Sequence, residues 1–307
     1  MSNILILGGS GFIGSNLAEY LSEKGENIIV FNKSKNVKNL EPFKDRIKII
    51  NGDFRDFKKI RKIFDKEKID IVIHLISNVI PGTEFDKVAA DMDVELVTTM
   101  KLANYLAEKK IKLVFFSTGG AIYGNNTKTL YSENDTPNPI NYYGWLKLSI
   151  EKYIEMQHEI NGLEYMNIRP SNVYGKNQKQ KGKQGLIAVT LGKIIRNEKI
   201  DVWGDGKITR DYLYVEDLCR AVYLLIKNNK WNETYNIGSG KGTSVNSVLK
   251  TIKNVTGKDF KINYTEKRKI DSKHNALNTA KLKKAIKWEN LTTLEDGIKK
   301  TWETINN

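Results

Sequence analysis

The sequence predicts an α/β protein built on a doubly wound parallel sheet, followed by a smaller α/β part. Two observations lead to this fold class. Through the first half of the chain, apolar β-branched runs alternate with segments of helical periodicity, as repeated βαβ units require. Residues 71–73 and 113–116 have no polar alternation, which is typical of strands covered by helices on both faces.

The order of elements can be followed along the chain. Strands are expected at residues 4–7, 28–31, 47–50, 69–75, 113–117, 165–169 and 234–237, with early helices at 15–24, 57–67 and 94–110. After residue 172 a polar loop at 176–185 precedes helices at 186–197, from 216, at 244–256 and at 279–286, and short strands at 200–203 and 211–215. We expect one domain at 1–173 and a second at 174–307, from which segments near 211–217 and 234–240 return to the first.

The composition is that of an ordinary folded protein: 307 residues, 40% hydrophobic and 28% charged. No apolar run approaches the roughly 20 residues that span a bilayer, and no basic stretch precedes the first apolar one, so neither a membrane segment nor a signal peptide is expected. The lone Cys219 excludes an internal disulfide framework and is typical of a reducing cytoplasm, where we expect the protein to be located.

The net charge of +14 raises the question of nucleic-acid binding. The lysines are scattered over segment edges and helix faces, however, and no zinc-binding spacing or aromatic–basic RNA signature accompanies them. We therefore expect no nucleic-acid partner and no metal site. Most of the charge is interpreted as solvated surface, and a smaller share would steer an anionic substrate into a cleft.

Three glycines at three-residue spacing, Gly8, Gly11 and Gly14, lie between the first strand and the first helix. Gly8 allows a tight turn, Gly11 leaves space for a pyrophosphate, and Gly14 allows the helix to pack closely on the strand. Unpaired N–H groups at the helix start, around Phe12 and Ile13, would face the phosphates. The loop therefore predicts a dinucleotide site, with a merely tight βα turn as the alternative.

The end of the second strand bears on which dinucleotide is bound. NAD enzymes commonly place an acidic residue there, which bonds the adenosine ribose. This chain has Asn32, followed by Lys33 and Lys35. An amide can bond a ribose hydroxyl, but it does not repel a 2′-phosphate, and the lysines could attract one. NAD is slightly favoured, and NADP stays possible.

Tyr143 and Lys147 form a Y-x-x-x-K pair, which a helix would place on one face. A free tyrosine has a pKa near ~10, too high for an efficient base at neutral pH, and a nearby ammonium with a positively charged nicotinamide would lower it. The pair could then exchange a proton with a substrate hydroxyl while a hydride moves. Tyr142 is not favoured, because no lysine follows it at this spacing.

A third catalytic residue is expected at the end of the fifth strand. A hydroxyl there could orient the reacting oxygen and stabilise an alkoxide. Ser117 and Thr118 are both candidates. Ordinary strand-end turn chemistry would account for the other one.

With these residues together, the sequence resembles the extended short-chain dehydrogenase/reductases of the nucleotide-sugar epimerase/dehydratase family, most closely the UDP-glucose 4-epimerase type. The stretches that carry the resemblance span nearly the whole chain: GGSGFIG, NGDFRD, STGGAIYG, YYGWLK, NIRPSNVYG, WGDGKITRDYLYVEDL, YNIGSG and KLKKAIKW. The resemblance implies a Rossmann-type NAD(P)-binding domain at 1–173 and a mainly substrate-binding domain at 174–307. It also implies a homodimer formed by the helix before residue 110 and the Tyr143 helix.

The resemblance assigns roles to individual residues. Tyr143 would exchange the proton, and Lys147 would bind the nicotinamide ribose. Asp53 and Phe54 would flank the adenine, although Asp53 could instead cap its own loop, and Leu75 would lie on the cofactor. The residues implied for binding a nucleoside-diphosphate sugar are Thr118, Asn172, Arg210 and Arg268.

Departures from the family pattern limit which reactions of the family are expected. In 4,6-dehydratases an Asp-Glu pair follows the strand-end threonine, whereas this chain has Gly119 and Gly120, so a dehydratase is not expected. In an epimerase, these glycines would leave room for the 4-keto sugar to rotate in its pocket. The helix near residues 93–95 lacks the asparagine typical of the family, and Val97 is interpreted as occupying its place.

The sequence therefore predicts a UDP-hexose 4-epimerase, an isomerase that works by reversible hydride transfer through a 4-keto intermediate. Two alternatives stay open. An NADPH-dependent reductase of a nucleotide-linked 4-keto-6-deoxy sugar would use the same residues for a single hydride transfer. A catalytically silent NAD(P)-binding regulator would keep the cofactor site and lose the reaction.

Overall fold

A computed structural model of the chain describes residues 1–124, 128–182, 184–266, 274–289 and 291–306. Its strands are β1 Asn3–Leu7, β2 Asn27–Asn32, β3 Ile47–Asn51, β4 Ile71–His74, β5 Lys112–Phe116, β6 Tyr165–Pro170, β7 Asn172–Tyr174, β8 Ile200–Trp203, β9 Thr209–Tyr214, β10 Glu233–Ile237, β11 Gly242–Ser244, β12 Ile262–Thr265 and β13 His274–Asn275.

The helices are α1 Phe12–Glu23, α2 Phe57–Lys66, α3 Phe85–Met92, α4 Thr98–Lys109, α5 Tyr142–Asn161, α6 Leu186–Ile195, α7 Val215–Lys227, α8 Val245–Thr256, α9 Ala280–Ile286 and α10 Leu294–Asn306. A 3₁₀ segment runs over Lys38–Arg46, and a π-helical turn at Asp93–Val97 directly precedes α4. Within the described residues, no helix combines the length and apolarity needed to cross a membrane.

The main sheet has the strand order β10-β6-β5-β4-β1-β2-β3, and each neighbouring pair is parallel. The chain builds one side of the sheet from β1 to β3 and then crosses over to build the other side from β4. This is the predicted doubly wound parallel sheet, which is thereby confirmed. In such a sheet the loops after β1 and β4 diverge at the switch point and open a crevice at the carboxyl ends of the strands.

Both faces of the sheet are buried, which explains the absence of polar alternation in its strands. In β1, Ile4 and Ile6 point to one core cluster, together with residues of α1 and α7. Leu5 and Leu7 point to the other cluster, together with residues of α2, α4 and α5. All four side chains are 0% exposed, as alternate positions of a strand between two helical layers should be.

The second part of the chain builds two small sheets. β7, β9, β11 and β13 form a mixed sheet around β9, and β8 pairs with β12. Asp211 of β9 is fully buried and accepts hydrogen bonds from the backbone N–H groups of Ser239 (2.8 Å), Gly240 (3.1 Å) and Leu277 (3.2 Å). This carboxylate therefore ties the mixed sheet to the loop that follows β10 of the main sheet.

Some elements were not indicated by the sequence pattern. β7, β11 and β13 have three, three and two residues, too few to show a period. α10 contains Gly297, a weak helix former, and a Cβ at this position would run into the Tyr174 ring. Tertiary packing, rather than local propensity, fixes these segments.

α5 is placed by its two ends and by one close contact. The Asn141 side chain accepts a hydrogen bond from the Gly144 N–H (2.9 Å) and caps the N-terminus, and Gly162 ends the helix at φ 69°. A Cβ on Gly144 would lie 2.5 Å from the Ala121 carbonyl oxygen. The first turn of α5 therefore packs directly on the turn that follows β5.

A buried ion pair fastens α5 to the main sheet. Arg169 of β6 is 3% exposed and donates to Glu151 of α5, with 3.0 Å from Nε to Oε1 and 2.6 Å from Nη2 to Oε2. Arg169 Nη1 also donates to the Tyr123 hydroxyl (2.9 Å), which in turn donates to the Asn236 amide oxygen (2.7 Å). One guanidinium thus connects α5, β6, the turn after β5 and β10.

Arg169→Met leaves the Glu151 carboxylate buried without its partner, so we expect the free energy of unfolding to fall by about 3–5 kcal/mol, as measured by urea denaturation. The double variant Glu151→Leu/Arg169→Met removes both charges and is expected to recover most of this loss. A double variant as unstable as Arg169→Met would contradict this account of the pair.

Candidate active site

The candidate site lies at the carboxyl ends of β1, β4 and β5, where three loops meet. The Leu75 N–H donates to the Leu7 carbonyl oxygen (3.0 Å), which brings the loop after β4 beside the glycine loop. A Cβ on Gly8 would lie 3.3 Å from the Leu75 carbonyl carbon and 3.2 Å from the Ile76 nitrogen. Leu75 is partly buried at this junction.

The glycine loop has the geometry of a phosphate cradle. Gly8 has φ 84°, a conformation that favours glycine, and α1 begins directly after Gly11, which offers no side-chain cap. A Cβ on Gly14 would lie 2.5 Å from the Gly8 carbonyl oxygen, so this glycine allows α1 to pack on the loop itself. Phe12 and Ile13 anchor the first turn against the core.

Gly11 leaves the mouth of this loop open. A Cβ added there would meet one neighbour within 4 Å, the Gly8 carbonyl oxygen at 3.3 Å. An uncapped helix start beside an open glycine offers N–H donors and a positive dipole end to an anion. The residues present therefore fit the pyrophosphate of a dinucleotide.

The Asn32 side chain, at the end of β2, is hydrogen-bonded to the glycine loop. It is 4% exposed, and its amide oxygen accepts a hydrogen bond from the Ser10 N–H (3.0 Å). The Asn39 side chain donates to the Ser10 carbonyl oxygen (3.2 Å). The expected bond from the Asn32 oxygen to a ribose hydroxyl therefore competes with a bond that holds the glycine loop in shape.

Asp53 lies between two cations. Arg55 hydrogen-bonds it through Nη2 (2.6 Å) and its backbone N–H (3.0 Å), and Lys33 Nζ lies 3.0 Å away. These contacts, that of Arg55 foremost, hold the pKa of Asp53 well below its usual range. The backbone bond is the loop cap that the sequence left open as an alternative.

The Phe54 side chain lies in the core. Its ring is 3% exposed and packs against the His74 ring, with 5.0 Å between the ring centres. A ring buried in the core offers almost no surface to an adenine. An apolar ring beside a buried strand gains free energy by packing in the core, and a contact of Phe54 with an adenine stays a prediction.

The structure brings Tyr143, Thr118 and Lys147 together. Thr118 lies near enough to the Tyr143 phenol to act on its ionisation, lowering the pKa of Tyr143. Lys147 Nζ lies 5.9 Å from the centre of the Tyr143 ring. Ser117 is 3% exposed, and its hydroxyl has no hydrogen-bond partner in the described part of the chain. Of the two hydroxyl candidates, Thr118 is thus the one in contact with the phenol.

The pKa of Tyr143 is raised in this structure, whereas the sequence led us to expect that the ammonium and a nicotinamide would lower it. Burial, and after it the Glu95 carboxylate, raise the pKa of Tyr143 to about 12, and Thr118 acts in the opposite direction. The Lys147 ammonium contacts other groups more closely than the Tyr143 ring: Nζ lies 3.8 Å from Glu95 Oε2 and 5.1 Å above the Phe115 ring. Burial lowers the pKa of Lys147, and Glu95 opposes this.

Glu95 is the site residue that the sequence analysis missed. It is 1% exposed, whereas Val97, which was interpreted as taking the asparagine position, is 37% exposed. The π-helical turn changes which side chains point inward, and a sequence pattern read with the α-helical period does not show this. The one available signal was an acidic residue within an otherwise apolar helix face.

His74 lies beneath the pair as a neutral ring. Burial first, and Lys147 second, lower the pKa of His74 to about 3. Nδ1 accepts a hydrogen bond from the Ile76 N–H (3.3 Å), so Nε2 carries the proton and donates to the Thr99 hydroxyl (2.8 Å). This imidazole is a structural link between β4 and α4.

Gly119 does not make room for a sugar, contrary to the expectation. A Cβ there would lie 2.5 Å from a methyl group of Leu277 and 3.1 Å from the Arg169 carbonyl oxygen. Asn275 donates to the carbonyl oxygens of Gly119 and Gly120 (both 3.2 Å). A Cβ on Gly120 would have Thr118 Oγ1 as its nearest neighbour, at 3.9 Å, so this is the glycine that faces open space.

Two of the expected substrate residues, Asn172 and Arg210, lie on the mixed sheet. Asn172 of β7 pairs in register with Tyr212 of β9, and its side chain donates to the Asp211 carbonyl oxygen (3.2 Å). Arg210 of β9 is partly exposed, and one guanidinium nitrogen donates to the Thr209 carbonyl oxygen (2.9 Å). Arg268 lies outside the described residues.

Comparisons with known proteins agree with this geometry. The family model of the NAD dependent epimerase/dehydratase family matches residues 4–238. The solved UDP-glucose 4-epimerase of Thermotoga maritima is 34% identical, with 99% of this chain and 98% of that chain covered and a TM-score of 0.93. A putative UDP-glucose 4-epimerase of Methanocaldococcus jannaschii is 33% identical, and the match covers 99% of this chain and 99% of that protein. A dTDP-4-dehydro-6-deoxyglucose reductase of Escherichia coli is 27% identical, and the match covers 99% of this chain and 98% of that protein.

A doubly wound sheet with this glycine loop and a Tyr-Lys pair defines an enzyme of the extended short-chain dehydrogenase/reductase class. The chain belongs to the NAD dependent epimerase/dehydratase family. The resemblance stated from the sequence is thereby confirmed. NAD is the cofactor of this family, and the glycine loop fits its pyrophosphate.

Gly11→Ala is expected to weaken NAD binding at least about tenfold, because a methyl group would occupy the mouth of the loop, while the melting temperature of the free protein changes little. Gly14→Ala, whose Cβ would meet backbone atoms, is expected to destabilise the fold by about 1–3 kcal/mol. Calorimetric titration and thermal unfolding separate the two effects. Wild-type NAD affinity in Gly11→Ala would contradict this assignment.

His74 makes stability depend on pH. Its pKa is lowered in the folded protein, so its contribution is present above the ordinary histidine pKa and is lost as the pH falls. Between pH 7 and 5 the unfolding free energy of the wild type should lose about 2 kcal/mol more than that of His74→Gln, as measured by urea denaturation. His158→Gln, at the end of α5, is the control. Equal losses in all three proteins would contradict this role.

Proposed function

We propose that the protein is a nucleotide-sugar 4-epimerase of the UDP-hexose type, which works by reversible hydride transfer through a 4-keto intermediate. The observation that supports this most directly is the cluster of Tyr143, Thr118 and Lys147 beside the glycine loop. No acidic residue follows Thr118 to remove a further proton, as a dehydratase would need. The similarity to UDP-glucose 4-epimerases over almost the whole chain supports the same reaction.

In this proposal the residues of the chain orient the sugar and move one proton. Bound NAD supplies the hydride acceptor and donor. Tyr143 takes the proton from the sugar C4 hydroxyl and returns it, while Thr118 holds the reacting oxygen in line with the phenol. Lys147 keeps a positive charge near the phenol and would hold the nicotinamide ribose. A pKa of Tyr143 near about 12 without ligands means that the positive nicotinamide has to favour the phenolate.

NAD rather than NADP is proposed as the resident cofactor. Lys33 lies in an ion pair with Asp53, so part of the charge that could attract a 2′-phosphate is already balanced. The buried Asn32 bonds the glycine loop at the end of β2, the position at which NAD enzymes commonly bond the adenosine ribose. A cofactor that is reoxidised within each turnover suits an epimerase, which consumes no reducing equivalents.

The substrate is proposed to lie between the two parts of the chain. Residues 1–173, with β10 completing the sheet, would hold the cofactor, and residues 174–307 would mainly hold the nucleotide diphosphate. Arg210, Asn172 and Arg268 are the proposed contacts, since a guanidinium suits a multi-oxygen anion. The net charge of +14 favours the approach of such an anion.

A homodimer in the cytoplasm is part of the proposal. On α5, apolar side chains stand exposed at helical spacing: Tyr142 46%, Trp145 46%, Met156 42% and Ile160 66%. A stripe of this kind on a surface helix is typical of a contact between subunits. The α4–α5 pair, joined by the Tyr153–Asn104 hydrogen bond (2.7 Å), would form that contact.

A reductase of a nucleotide-linked 4-keto-6-deoxy sugar is the second candidate. The dTDP-4-dehydro-6-deoxyglucose reductase of Escherichia coli is similar over 99% of this chain, and the same Tyr143 cluster could donate a proton after a single hydride transfer. The absence of an acid at Asn32 favours this candidate, because NADPH would not be repelled.

Purified protein with NAD is expected to interconvert UDP-glucose and UDP-galactose, followed by chromatography of the two sugars. Tyr143→Phe should lower kcat by about 10²–10⁴-fold, because the proton has no carrier. Tyr142→Phe, its exposed neighbour, should keep wild-type activity. Oxidation of NADPH by a 4-keto sugar without any epimerisation would overturn the proposal in favour of the reductase. Inactivity with every sugar, combined with cofactor binding, would favour the silent regulator.

A further inference from the structure

Glu95 concentrates several buried contacts on one carboxylate. It is 1% exposed and accepts hydrogen bonds from the backbone N–H groups of Asn78 and Val79, the latter at 2.9 Å, and from the Ser77 hydroxyl at 3.0 Å. Because Glu95 lies in the π-helical turn, its side chain points toward the carboxyl ends of the main-sheet strands. The segment 77–79, which follows β4, is thus held to the start of α4 by a single side chain.

The same carboxylate is the counter-ion of the buried lysine. Lys147 is 2% exposed, and its Nζ lies 3.8 Å from Glu95 Oε2. The aromatic faces nearest to the ammonium are those of Phe115, at 5.1 Å, and Tyr143, at 5.9 Å. A charged amine enclosed in this way needs a nearby negative charge to stay ionised.

Glu151, also on α5, cannot take over this role. It is fully buried, and both of its oxygens accept hydrogen bonds from the Arg169 guanidinium (3.0 and 2.6 Å). Its charge is therefore already balanced by a closer partner. Within the part of the chain that the structure describes, Glu95 is the remaining carboxylate in contact with Lys147.

We propose that Glu95 is a positioning residue for the proton exchange: it fixes the Lys147 ammonium beside Tyr143 and, with the same carboxylate, holds the 77–79 segment at the edge of the cofactor site. The inference deepens the proposed epimerase function and rests on it for the catalytic part. Glu95 touches neither sugar nor phenol in this scheme. It acts through its contact with Lys147, through the 77–79 segment, and through the effect of its charge on the ionisation of Tyr143.

The charge of Glu95 has a predictable effect on the pH dependence. The titratable and charged groups that face Lys147 are Tyr143 and Glu151 on α5, His74 on β4, Glu95 on the π-helical turn, and Arg169 on β6 behind Glu151. After burial, Glu95 raises the pKa of Tyr143, and it opposes the burial that lowers the pKa of Lys147. Removing this one charge therefore lowers the pKa of both groups.

Glu95→Gln separates charge from shape. The amide oxygen of glutamine can still accept from the Asn78 and Val79 N–H groups, so the loop stays held, but the negative charge is gone. We expect both limbs of the kcat profile to move to lower pH by on the order of one unit. Asp91→Asn is the matched control, because Asp91 lies one turn earlier and contacts the Asn78 side chain (3.3 Å) without touching Lys147.

A second measurement does not depend on turnover. The ionisation of Tyr143 in the cofactor-free protein can be followed by the near-ultraviolet absorbance of tyrosinate, with Tyr143→Phe in each background as the reference. Glu95→Gln should shift this titration to lower pH, and Asp91→Asn should not. Glu95→Ala should in addition raise the KM for NAD, since it also releases the 77–79 segment.

The outcomes distinguish the two proposals. If the wild type epimerises no UDP-hexose, the proposed function fails, and the tyrosinate titration still decides the role of Glu95. If Glu95→Gln has the same titration and the same pH profile as the wild type, Glu95 is only a structural link and the inference is overturned. If Asp91→Asn shifts them equally, a general loss of surface charge explains the effect and the inference is likewise overturned.

Discussion

The geometry of the site depends on the buried ion pair that holds α5 on the main sheet. α5 carries both Tyr143 and Lys147, and Arg169 joins its Glu151 to β6 with every contact shielded from water. A helix that could slide or rotate on the sheet would carry the phenol and the ammonium with it. Because the guanidinium also binds Tyr123, the turn that bears Thr118 is held by the same group, and Tyr143, Lys147 and Thr118 keep fixed relative positions.

A second constraint is electrostatic. At the carboxyl ends of the main-sheet strands, a cation, Lys147, and a neutral imidazole, His74, are buried close to each other. Such an arrangement is stable only if one carboxylate balances the ammonium and the imidazole stays unprotonated. Glu95 and the hydrogen bonds of His74 meet these two conditions, and they also join β4, α4 and α5. The groups that stabilise this part of the fold are therefore also those of the proposed acid–base site.

The sequence was informative where local chemistry dictates structure and less so where tertiary contacts do. Strong periodic runs predicted the main sheet, and the spacing of Gly8 and Gly14 predicted a tight strand-to-helix turn. The packing of Phe54 on His74 was not predicted, because His74 comes from a distant strand. Glu95 was missed because a π-helical turn shifts the inward face by one position, which an α-helical period does not reveal. The features that the sequence did not predict depend on partners that are distant along the chain, and residue type alone does not reveal such partners.

The contact between Gly119 and Leu277 limits how this chain could evolve. The dehydratase pattern needs side chains at the two positions after Thr118, but the first of them is filled by Leu277, which belongs to the mixed-sheet part of the molecule. A carboxylate at position 119 would require the Leu277 side chain to shift or position 277 to become smaller. A new acid at position 119 is therefore coupled to position 277, which lies more than 150 residues further along the chain.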